Sequence, residues 1–269
     1  TIWADTKLRM GETMWDTANR QNDQGLRQSA VNAAEAALTV FKPADNFRRW
    51  SRATRLLARS LQNVERKIES LRTLDALMAA TPKGKYPLDW AEGHEDLGHL
   101  YFDVGYWGSE ADIDNLQKAI DAYDAAAASY VRYDKGGAWF SRISKANAQT
   151  QLGLRTGDLL LLRRAASEGA ATLAEIGDHD NLWANSTMIL AQDQVLAGIA
   201  LGDGTLVKAG LANYAAAEKK IITRESAAFD WGMGKLYEGD GLRFLGLMGK
   251  RNDKQLKAAI AAYGAAIET

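Results

Sequence analysis

The sequence predicts an all-α protein, organised as a single array of about six αα-hairpins. Only three prolines occur in 269 residues, and runs of β-branched residues are scarce, so helices are favoured over strands. Tryptophans open helical patterns at intervals of 47, 40, 49, 44 and 48 residues, and these are Trp3, Trp50, Trp90, Trp139, Trp183 and Trp231. Such a period indicates hairpins that stack on one another.

A second marker follows about one helix after the tryptophan in four of the repeats. This marker is five residues long: a small residue, then an aliphatic residue, then two variable positions, and finally an aromatic or small residue. It begins at Ala30, Ala119, Gly210 and Ala259. Two markers that keep phase along the chain indicate internal repetition. We therefore expect one array without linkers, with repeats at 1–45, 46–87, 88–137, 138–181, 182–228 and 229–269.

The clearest repeat, at residues 87–130, predicts two helices joined by a short polar turn. The first helix should begin near Leu88 and end where Gly105 and Gly108 interrupt the pattern. Its apolar stripe is Trp90, Leu97, Tyr101 and Val104. Asp112 is expected to cap the second helix. The apolar positions of that helix are Ile113, Leu116, Ile120, Tyr123 and Ala127.

Glycine followed by an acidic residue marks the turn within repeats three to six, for example Gly157 before Asp158. Glycine suits a left-handed C′ position, and the acid suits the next N-cap. The turn of repeat one is expected at residues 22–25. Repeat two lacks such a glycine, so its expected break near Gln62 has an alternative, which is one continuous helix. Either version keeps the seven-residue spacing of Trp50, Leu57, Val64, Leu71 and Met78.

These residues resemble a bacterial class of tetratricopeptide-like repeats that are longer than the usual type. The likeness rests on Pro87-Leu88-Asp89-Trp90-Ala91, on Leu97-Gly98 and on Ala119-Ile120-Asp121-Ala122-Tyr123, and it recurs at residues 229–268. The resemblance implies a right-handed αα-hairpin solenoid, a superhelix whose concave face is lined mainly by the first helix of each pair. It also implies a non-enzymatic scaffold or adaptor that binds protein partners, as a subunit of a larger bacterial assembly.

Charge and composition exclude several kinds of partner and site. The formal net charge is −1 and the chain has no cysteine, so we expect neither a general attraction to nucleic acid or anionic membranes nor disulfides and thiolate metal sites. No apolar run is long enough to span a bilayer, and no secretory signal opens the chain. Its first residue, Thr1, indicates a processed chain or a piece of a longer one. The compartment stays open, with the bacterial periplasm slightly favoured over the cytoplasm.

The histidines and acids of repeat three do not predict a metal or catalytic site, and no cofactor is expected. His94 and His99 are five residues apart, roughly 140° around a helix, so they cannot share a metal as an i,i+4 pair can. Carboxylates on the same helix allow one alternative, a helical (α/α)6 toroid that binds or cleaves carbohydrate. Those carboxylates are Asp89, Glu95, Asp96 and Asp103. Compact hairpins without long loops argue against a toroid.

One surface feature predicts a binding site. Arginines of repeat two follow 4, 3, 4 and 7 spacing and should form one basic stripe: Arg48, Arg52, Arg55, Arg59 and Arg66. Only Glu65 and Glu69 are near enough in sequence to offset them. The stripe is either a solvated face with ordinary ion pairs or a docking strip for an acidic peptide, polymer or headgroup. The residues expected to contact a partner are Arg48, Arg52, Arg55, Arg59, His94, His99 and Lys145.

The last helix predicts a second contact surface. Helical arrays normally end on a polar helix, but this one has apolar residues on one side, namely Leu256, Ile260, Tyr263 and Ile267. No later residue of the sequence covers them. We expect another subunit, a partner or further sequence to cover this face.

Overall fold

Twelve helices and no strand make up the part of the chain that the computed structural model describes. That part is residues 1–21, 23–63, 65–109, 112–177, 180–220, 223–224 and 228–268, with the backbone alone at 180 and 181. The helices are α1 (Ile2–Gln21), α2 (Gln24–Val40), α3 (Phe47–Asn63), α4 (Lys67–Ala80), α5 (Pro87–Trp107), α6 (Asp114–Tyr130), α7 (Lys135–Thr156), α8 (Leu159–Ile176), α9 (Asp180–Leu201), α10 (Gly204–Lys220), α11 (Ala228–Leu247) and α12 (Asp253–Ile267). The all-α prediction is confirmed. None of these described helices is both long and apolar enough to cross a membrane.

The helices form two layers. Each helix packs against the next one along the chain, and each odd-numbered helix from α1 to α9 also packs against the next odd-numbered helix. Among the described residues, no two even-numbered helices pack against each other. The odd-numbered helices therefore lie on the inner side of a curved array.

The curvature of the inner layer brings the hydroxyl oxygens of Tyr106 in α5 and Tyr237 in α11 to 3.4 Å from each other. Neither α1 nor α2, by contrast, packs against α11 or α12 within the described ranges. Among the described residues, the helices of the first and last hairpins therefore do not pack against each other.

One turn geometry recurs between the two helices of a pair. At the end of five odd-numbered helices, a carbonyl accepts the backbone N–H of the residue just before the next helix, at 2.8–3.1 Å; these carbonyls belong to Ala18, Leu61, Gly153, Gly198 and Gly246. Gly157 has a φ of 71°, and the Asp158 side chain accepts the N–H groups of Leu160 and Leu161. The glycine and the cap predicted there are confirmed, because a left-handed C′ residue turns the chain directly into the next helix.

The turn of repeat three differs from its prediction. α5 continues through Gly105, where a Cβ would lie 2.8 Å from the side chain of Leu116 in α6, and it ends with Gly108 as its C-cap. Asp112 does not cap α6; its carboxylate accepts hydrogen bonds from the backbone N–H and the hydroxyl of Ser109 instead. The interruption predicted at Gly105 and the cap predicted at Asp112 are therefore wrong. Gly105 permits a close helix contact, and Asp112 closes the loop.

Repeat two consists of two helices. α3 ends at Asn63 and α4 begins at Lys67, so the continuous-helix alternative is wrong and the predicted break is confirmed. Glu65 in this turn has a φ of 62°, the left-handed conformation that Gly157, Gly202 and Gly249 adopt in the turns of repeats four to six. Val64 of the seven-residue spacing and Asn22 of the first predicted turn lie outside the described residues.

In five of the six repeats a small residue lies eight positions after the periodic tryptophan, namely Gly11, Ala58, Gly98, Ala191 and Gly239, whereas repeat four has Asn147. A Cβ on Gly98 would lie 2.6 Å from the ring of Tyr123, and Tyr263 packs on Gly239 in the same way. The hydroxyl of Tyr123 forms a hydrogen bond with His99 Nδ1 at 2.9 Å, and the hydroxyl of Tyr263 donates to Asp240 at 2.7 Å. His99 and Asp240 each directly follow the glycine on which the tyrosine packs. The tyrosine of the second marker thus fits onto the glycine of the first helix in two repeats.

Replacing Gly98 with alanine should lower the free energy of unfolding by about 1–3 kcal/mol, because the added methyl group would overlap the ring of Tyr123. Urea denaturation followed by circular dichroism measures this loss. Gly264→Ala is the matched control, since no atom of the described residues lies within 4 Å of a Cβ there. Its higher helix propensity should raise the stability by up to about 1 kcal/mol. Similar effects of the two substitutions would show that this crossing does not require glycine.

The periodic tryptophans share one position but are not core residues. From α3 to α11 each is the fourth or fifth residue of its helix. Trp3 is 53% exposed, and the other five are half-buried. Trp50 packs against two core clusters, as packing between hairpins predicts. Trp90 instead lies beneath Lys83, whose Nζ is 4.3 Å from the ring centroid, a cation–π contact. The tryptophan spacing therefore marks the helix register rather than a uniform core position.

The outer face of α12 is only partly uncovered. Leu256 and Tyr263 pack on glycines of α11, so these two members of the predicted uncovered face are covered within their own hairpin. Ile260 and Ile267 are 70% and 85% exposed. The prediction of an uncovered apolar face therefore holds for the two isoleucines alone.

Candidate functional site

A cleft of about 850 Å³ opens on the inner side of the array, between α1, α3 and the start of α5. Its cationic residues are Arg48, Arg52, Arg55, Arg59 and Lys85. Its acidic residues are Glu12, Asp16, Asp89 and Glu92, and its aromatic residues are Trp15, Tyr86 and Tyr133. A second hollow of about 370 Å³ shares Trp15 and Arg59 with the cleft and continues to His99 and Asp103. Both hollows lie along the odd-numbered helices.

The arginines of α3 line this cleft because their spacing of three and four residues places them on one face of the helix. Carboxylates of the neighbouring odd-numbered helices meet them. Arg52 pairs with Glu12 of α1, and Arg55 pairs with Glu92 of α5. The acids that offset the stripe are thus not only those near in sequence, since stacking supplies acids from about 40 residues away.

Arg66 does not belong to the stripe. It lies in the turn after α3, as the N-cap residue of α4. There its Nε donates to Glu69 at 2.8 Å. The seven-residue step from Arg59 crosses the end of the helix, so the helical spacing no longer sets the direction of this side chain.

Asp96 of α5 lies behind the arginines of the cleft, on the wall of the second hollow, with its side chain 2% exposed. Its two oxygens accept Arg55 Nε at 2.6 Å and Arg59 Nε at 2.7 Å. Burial by itself would raise the pKa of Asp96, but the two guanidinium groups outweigh it and hold the pKa below its ordinary value. A doubly paired carboxylate of this kind fixes the orientation of both arginines.

Glu92 lies nearer the mouth of the cleft. Burial raises its pKa; Arg55 opposes this shift, and the carboxylates of Asp89 and Asp96 add to it. Glu92 therefore takes up a proton at higher pH than an ordinary glutamate does. In mild acid the cleft loses negative charge at this position and becomes more cationic.

Two cations of the cleft remain available to a ligand. Within the described part of the chain, neither Arg48 nor Lys85 forms an ion pair, and both are exposed. Arg52 is paired, but its side chain is 61% exposed. An exposed ion pair contributes little energy, so a ligand carboxylate can share or replace Glu12 at Arg52. These three cations form the accessible basic edge of the cleft.

Aromatic rings form the rest of the wall. Tyr86 stacks on Phe47 with ring centroids 3.7 Å apart, which fixes its ring at the mouth. The guanidinium of Arg59 lies over Trp15 at 5.7 Å. Tyr133 is 56% exposed. Such rings offer apolar contact area to a bound chain at a small cost in conformational entropy.

The structure brings together five of the seven residues predicted to contact a partner. Arg48, Arg52, Arg55 and Arg59 line the cleft, and His99 lines the hollow beside it. The other two lie elsewhere, as their own contacts show.

His94 and Lys145 are held by neighbours outside the cleft. His94 packs against Trp90 with ring centroids 3.9 Å apart and ring planes tilted by 54°, and burial, with the charge of Lys83, lowers its pKa. Lys145 of α7 pairs with Asp124 of α6 at 2.5 Å. Neither residue lines the cleft or the hollow beside it. The described residues also contain no group of three His, Asp or Glu side chains placed to hold a metal ion.

The sequence interpretation missed the residues that face α3 from the other side of the cleft, namely Glu12, Trp15, Lys85 and Glu92. Trp15 carried a usable signal, because it is one of the two tryptophans outside the 45-residue phase. Glu12 carried a weaker signal, because it lies nine residues after its periodic tryptophan, as Arg59 and His99 do after theirs. Residues at one repeat position line up along the inner layer.

The chain matches no protein-family model and no curated protein sequence.

Proposed function

We propose that this chain is a non-enzymatic scaffold of the tetratricopeptide type, a right-handed superhelix that binds a protein partner on its inner face. One observation carries the proposal: the cleft between α1, α3 and α5 exposes Arg48, Arg52 and Lys85 beside three aromatic rings. Cationic side chains with adjacent aromatic area suit an extended peptide that presents carboxylates. The array would then act by holding such a segment.

The ion pairs of the cleft arginines support binding rather than catalysis. Asp96 is occupied by two arginines, and Arg55 also pairs with Glu92. Asp96, held in this way and with its pKa lowered, stays a charged partner of arginine and is poorly placed to exchange protons with a substrate. The role of these carboxylates in the proposal is to keep Arg55 and Arg59 fixed beneath the bound segment.

Charge reversal at Arg48 and Arg52 should weaken the binding of a fluorescein-labelled oligo-glutamate peptide at least about tenfold, which corresponds to about 1.4 kcal/mol. Fluorescence anisotropy at low ionic strength measures the affinity, which should fall as salt is added. The variant is Arg48→Glu with Arg52→Glu. Its matched control, Arg164→Glu with Lys219→Glu, makes the same charge change at exposed positions of α8 and α10 and should bind as the unaltered chain does.

Two results would refute this function. One is equal binding of oligo-glutamate by the charge-reversed variant and its control. The other is equally tight binding of an oligo-lysine peptide, which would show that the cleft does not select acidic segments. Circular dichroism of each variant establishes that the helices are intact.

A carbohydrate ligand is the second candidate, since Trp15, Tyr86 and Tyr133 also offer stacking surfaces for sugar rings. A neutral oligosaccharide such as cellohexaose distinguishes the two. Under the scaffold proposal it should not displace the labelled peptide at millimolar concentration. Displacement that the Arg48→Glu and Arg52→Glu substitutions leave unchanged would favour the carbohydrate function.

A further inference from the structure

The groove on the inner side of the array does not end at the basic cleft. The second hollow, of about 370 Å³, continues it along α3 and α5, and Trp15 and Arg59 line both spaces. The other polar residues of the second hollow are Gln62, Asn63, Asp96, His99 and Asp103. A chain that lies in the cleft and follows the groove therefore reaches this hollow.

The two spaces differ in the charge that they leave free. The cleft offers the unpaired cations Arg48 and Lys85. In the second hollow, Arg59 and Asp96 bind each other at 2.7 Å, and the charge that remains is the half-buried carboxylate of Asp103. Asp103 forms no ion pair with any of the described residues. The free charge thus changes sign along the groove.

Two acids of the cleft leave this order in place. Asp89 lies in the first turn of α5, where the positive end of the helix dipole offsets a carboxylate. Asp16 comes one helical turn after Glu12, the partner of Arg52. Its neighbour in the chain, Trp15, also lines the second hollow. Asp16 therefore lies between the free cations and the second hollow, and it adds to the negative side of the groove.

The hydrogen-bonding groups of the second hollow also suit a cation. Gln62 Nε2 donates to Asp103 at 2.5 Å, and Asn63 Nδ2 donates to Asn19 at 2.7 Å. The side-chain carbonyl oxygens of Gln62 and Asn63 accept no hydrogen bond from the described residues. With the Asp103 carboxylate they give the hollow several acceptors, and the side chains of lysine and arginine offer only donors.

We propose that the segment bound in this groove is bipolar: its carboxylates lie at Arg48, Arg52 and Lys85, and a lysine or arginine further along it enters the second hollow and pairs with Asp103. This inference rests on the proposed function of the cleft, and it adds the residue that a partner must carry besides its acids. The segment passes over Trp15 and Arg59, which line both spaces.

Helix geometry sets the spacing between the acid and the base of the segment. Gln62, which binds Asp103, comes ten residues after Arg52 on α3, so the two lie roughly 15 Å apart along the helix at about 1.5 Å per residue. An extended chain advances about 3.3 Å per residue, so about five residues span this distance. An acid and a base that are adjacent in the segment cannot reach both places.

Fluorescence anisotropy with three labelled peptides at low ionic strength tests the proposal. The first peptide has a run of glutamates, a spacer of serine and glycine that places a lysine about five residues from the last glutamate, and that lysine. The second replaces the lysine with serine, and the third moves the lysine directly beside the glutamates. Each is made in both chain directions. In one direction, the first peptide should bind about three- to tenfold tighter than the other two, as one ion pair with added hydrogen bonds provides.

Replacing Asp103 with asparagine should remove this gain. It should change the binding of the lysine-free peptide by less than about twofold, because a single charge roughly 15 Å away acts weakly through water. Asp121→Asn is the matched control: its carboxylate also accepts a glutamine amide, from Gln117 at 2.9 Å, but it is exposed on α6. This variant should keep the gain. Circular dichroism of both variants checks that the helices are intact.

The possible failures of the two proposals differ. A lysine that adds no affinity in either direction, or adds as much beside the glutamates, would overturn this inference and leave the proposed function in place. So would a gain that survives Asp103→Asn. If the lysine-free peptide does not bind the unaltered chain at all, the proposed function is refuted, and this inference with it.

Discussion

Replacing Asp96 with alanine should lower the free energy of unfolding by about 3–5 kcal/mol, the range found when one partner of a buried ion pair is removed. The Asp96 side chain is 2% exposed, and it binds Arg55, whose side chain is 12% exposed. Without the carboxylate, the guanidinium of Arg55 is left buried with Glu92 as its remaining partner. Urea denaturation at neutral pH measures the loss.

Asp124→Ala is the matched control for Asp96→Ala. Asp124 also pairs with a cation, Lys145, but its side chain is 64% exposed. An exposed pair contributes about 1 kcal/mol or less. Losses of equal size in the two variants would show that Asp96 does not act as a buried partner of the two arginines.

The pH dependence of Asp96 has a definite sign. Its folded pKa lies below the ordinary value of 3.8, so its stabilising contribution is present above pH 3.8 and is lost as the pH falls through the folded pKa. The difference in stability between the unaltered chain and Asp96→Ala should therefore narrow in acid. A difference in the free energy of unfolding that stays constant from pH 7 into acid would contradict a lowered pKa for Asp96.

Replacing Asp193 with asparagine should raise the stability at neutral pH, and the gain should grow with pH. Asp193 in α9 is 1% exposed, and neither carboxyl oxygen has a hydrogen-bond partner in the described part of the chain. Burial raises its pKa well above 3.8, and the nearby Thr150 counteracts this only in part, because its hydroxyl donates to the Ala146 carbonyl. Tyr214 and Tyr237 of the neighbouring helices add no positive charge beside it.

The sign follows from proton binding. Between pH 3.8 and the raised folded pKa, the folded chain binds one proton more at Asp193 than the unfolded chain does. Each pH unit in this window then lowers the stability by about 1.4 kcal/mol. Asparagine does not titrate, so the difference between Asp193→Asn and the unaltered chain should be smallest near pH 4 and should rise towards pH 7.

Urea denaturation at a series of pH values measures this difference. Asp124→Asn, at an exposed position, should show a nearly constant difference over the same range. A pH-independent difference for Asp193→Asn would contradict a raised pKa. A residue of α7 or α9 would then have to supply a hydrogen-bond or ionic partner for the Asp193 carboxylate.

Features set within one or two helical turns were predictable from the sequence. Helical spacing correctly placed the arginines of α3 on one face, and Gly157 with Asp158 correctly marked a turn. The break in repeat two was also predicted, although no glycine marks it. Gly105 was misjudged, because its close contact with Leu116 is made by a different helix. The sequence alone does not distinguish a glycine that permits two helices to cross closely from a glycine that ends a helix.

Only the basic side of the candidate site could be predicted from the sequence. The stripe on α3 was found, but its meaning depended on Glu12, Glu92 and Asp96, which stacking brings from about 40 residues away. His94 and Lys145 were included because they lie on odd-numbered helices, yet their side chains contact Trp90 and Asp124 outside the cleft. Which face of a helix meets its neighbour is not a property of that helix alone.

The sequence by itself determined that this chain is helical, where most helices turn, and that a basic face recurs along α3. These properties depend on neighbours three to eight residues apart, and local backbone geometry fixes them. Only the tertiary structure decided that Asp96 pairs with both Arg55 and Arg59, that the buried Asp193 carboxylate has no hydrogen-bond partner among the described residues, and that Ile260 is exposed. Burial and charge pairing depend on which helices become neighbours, and that is settled by packing over the whole array.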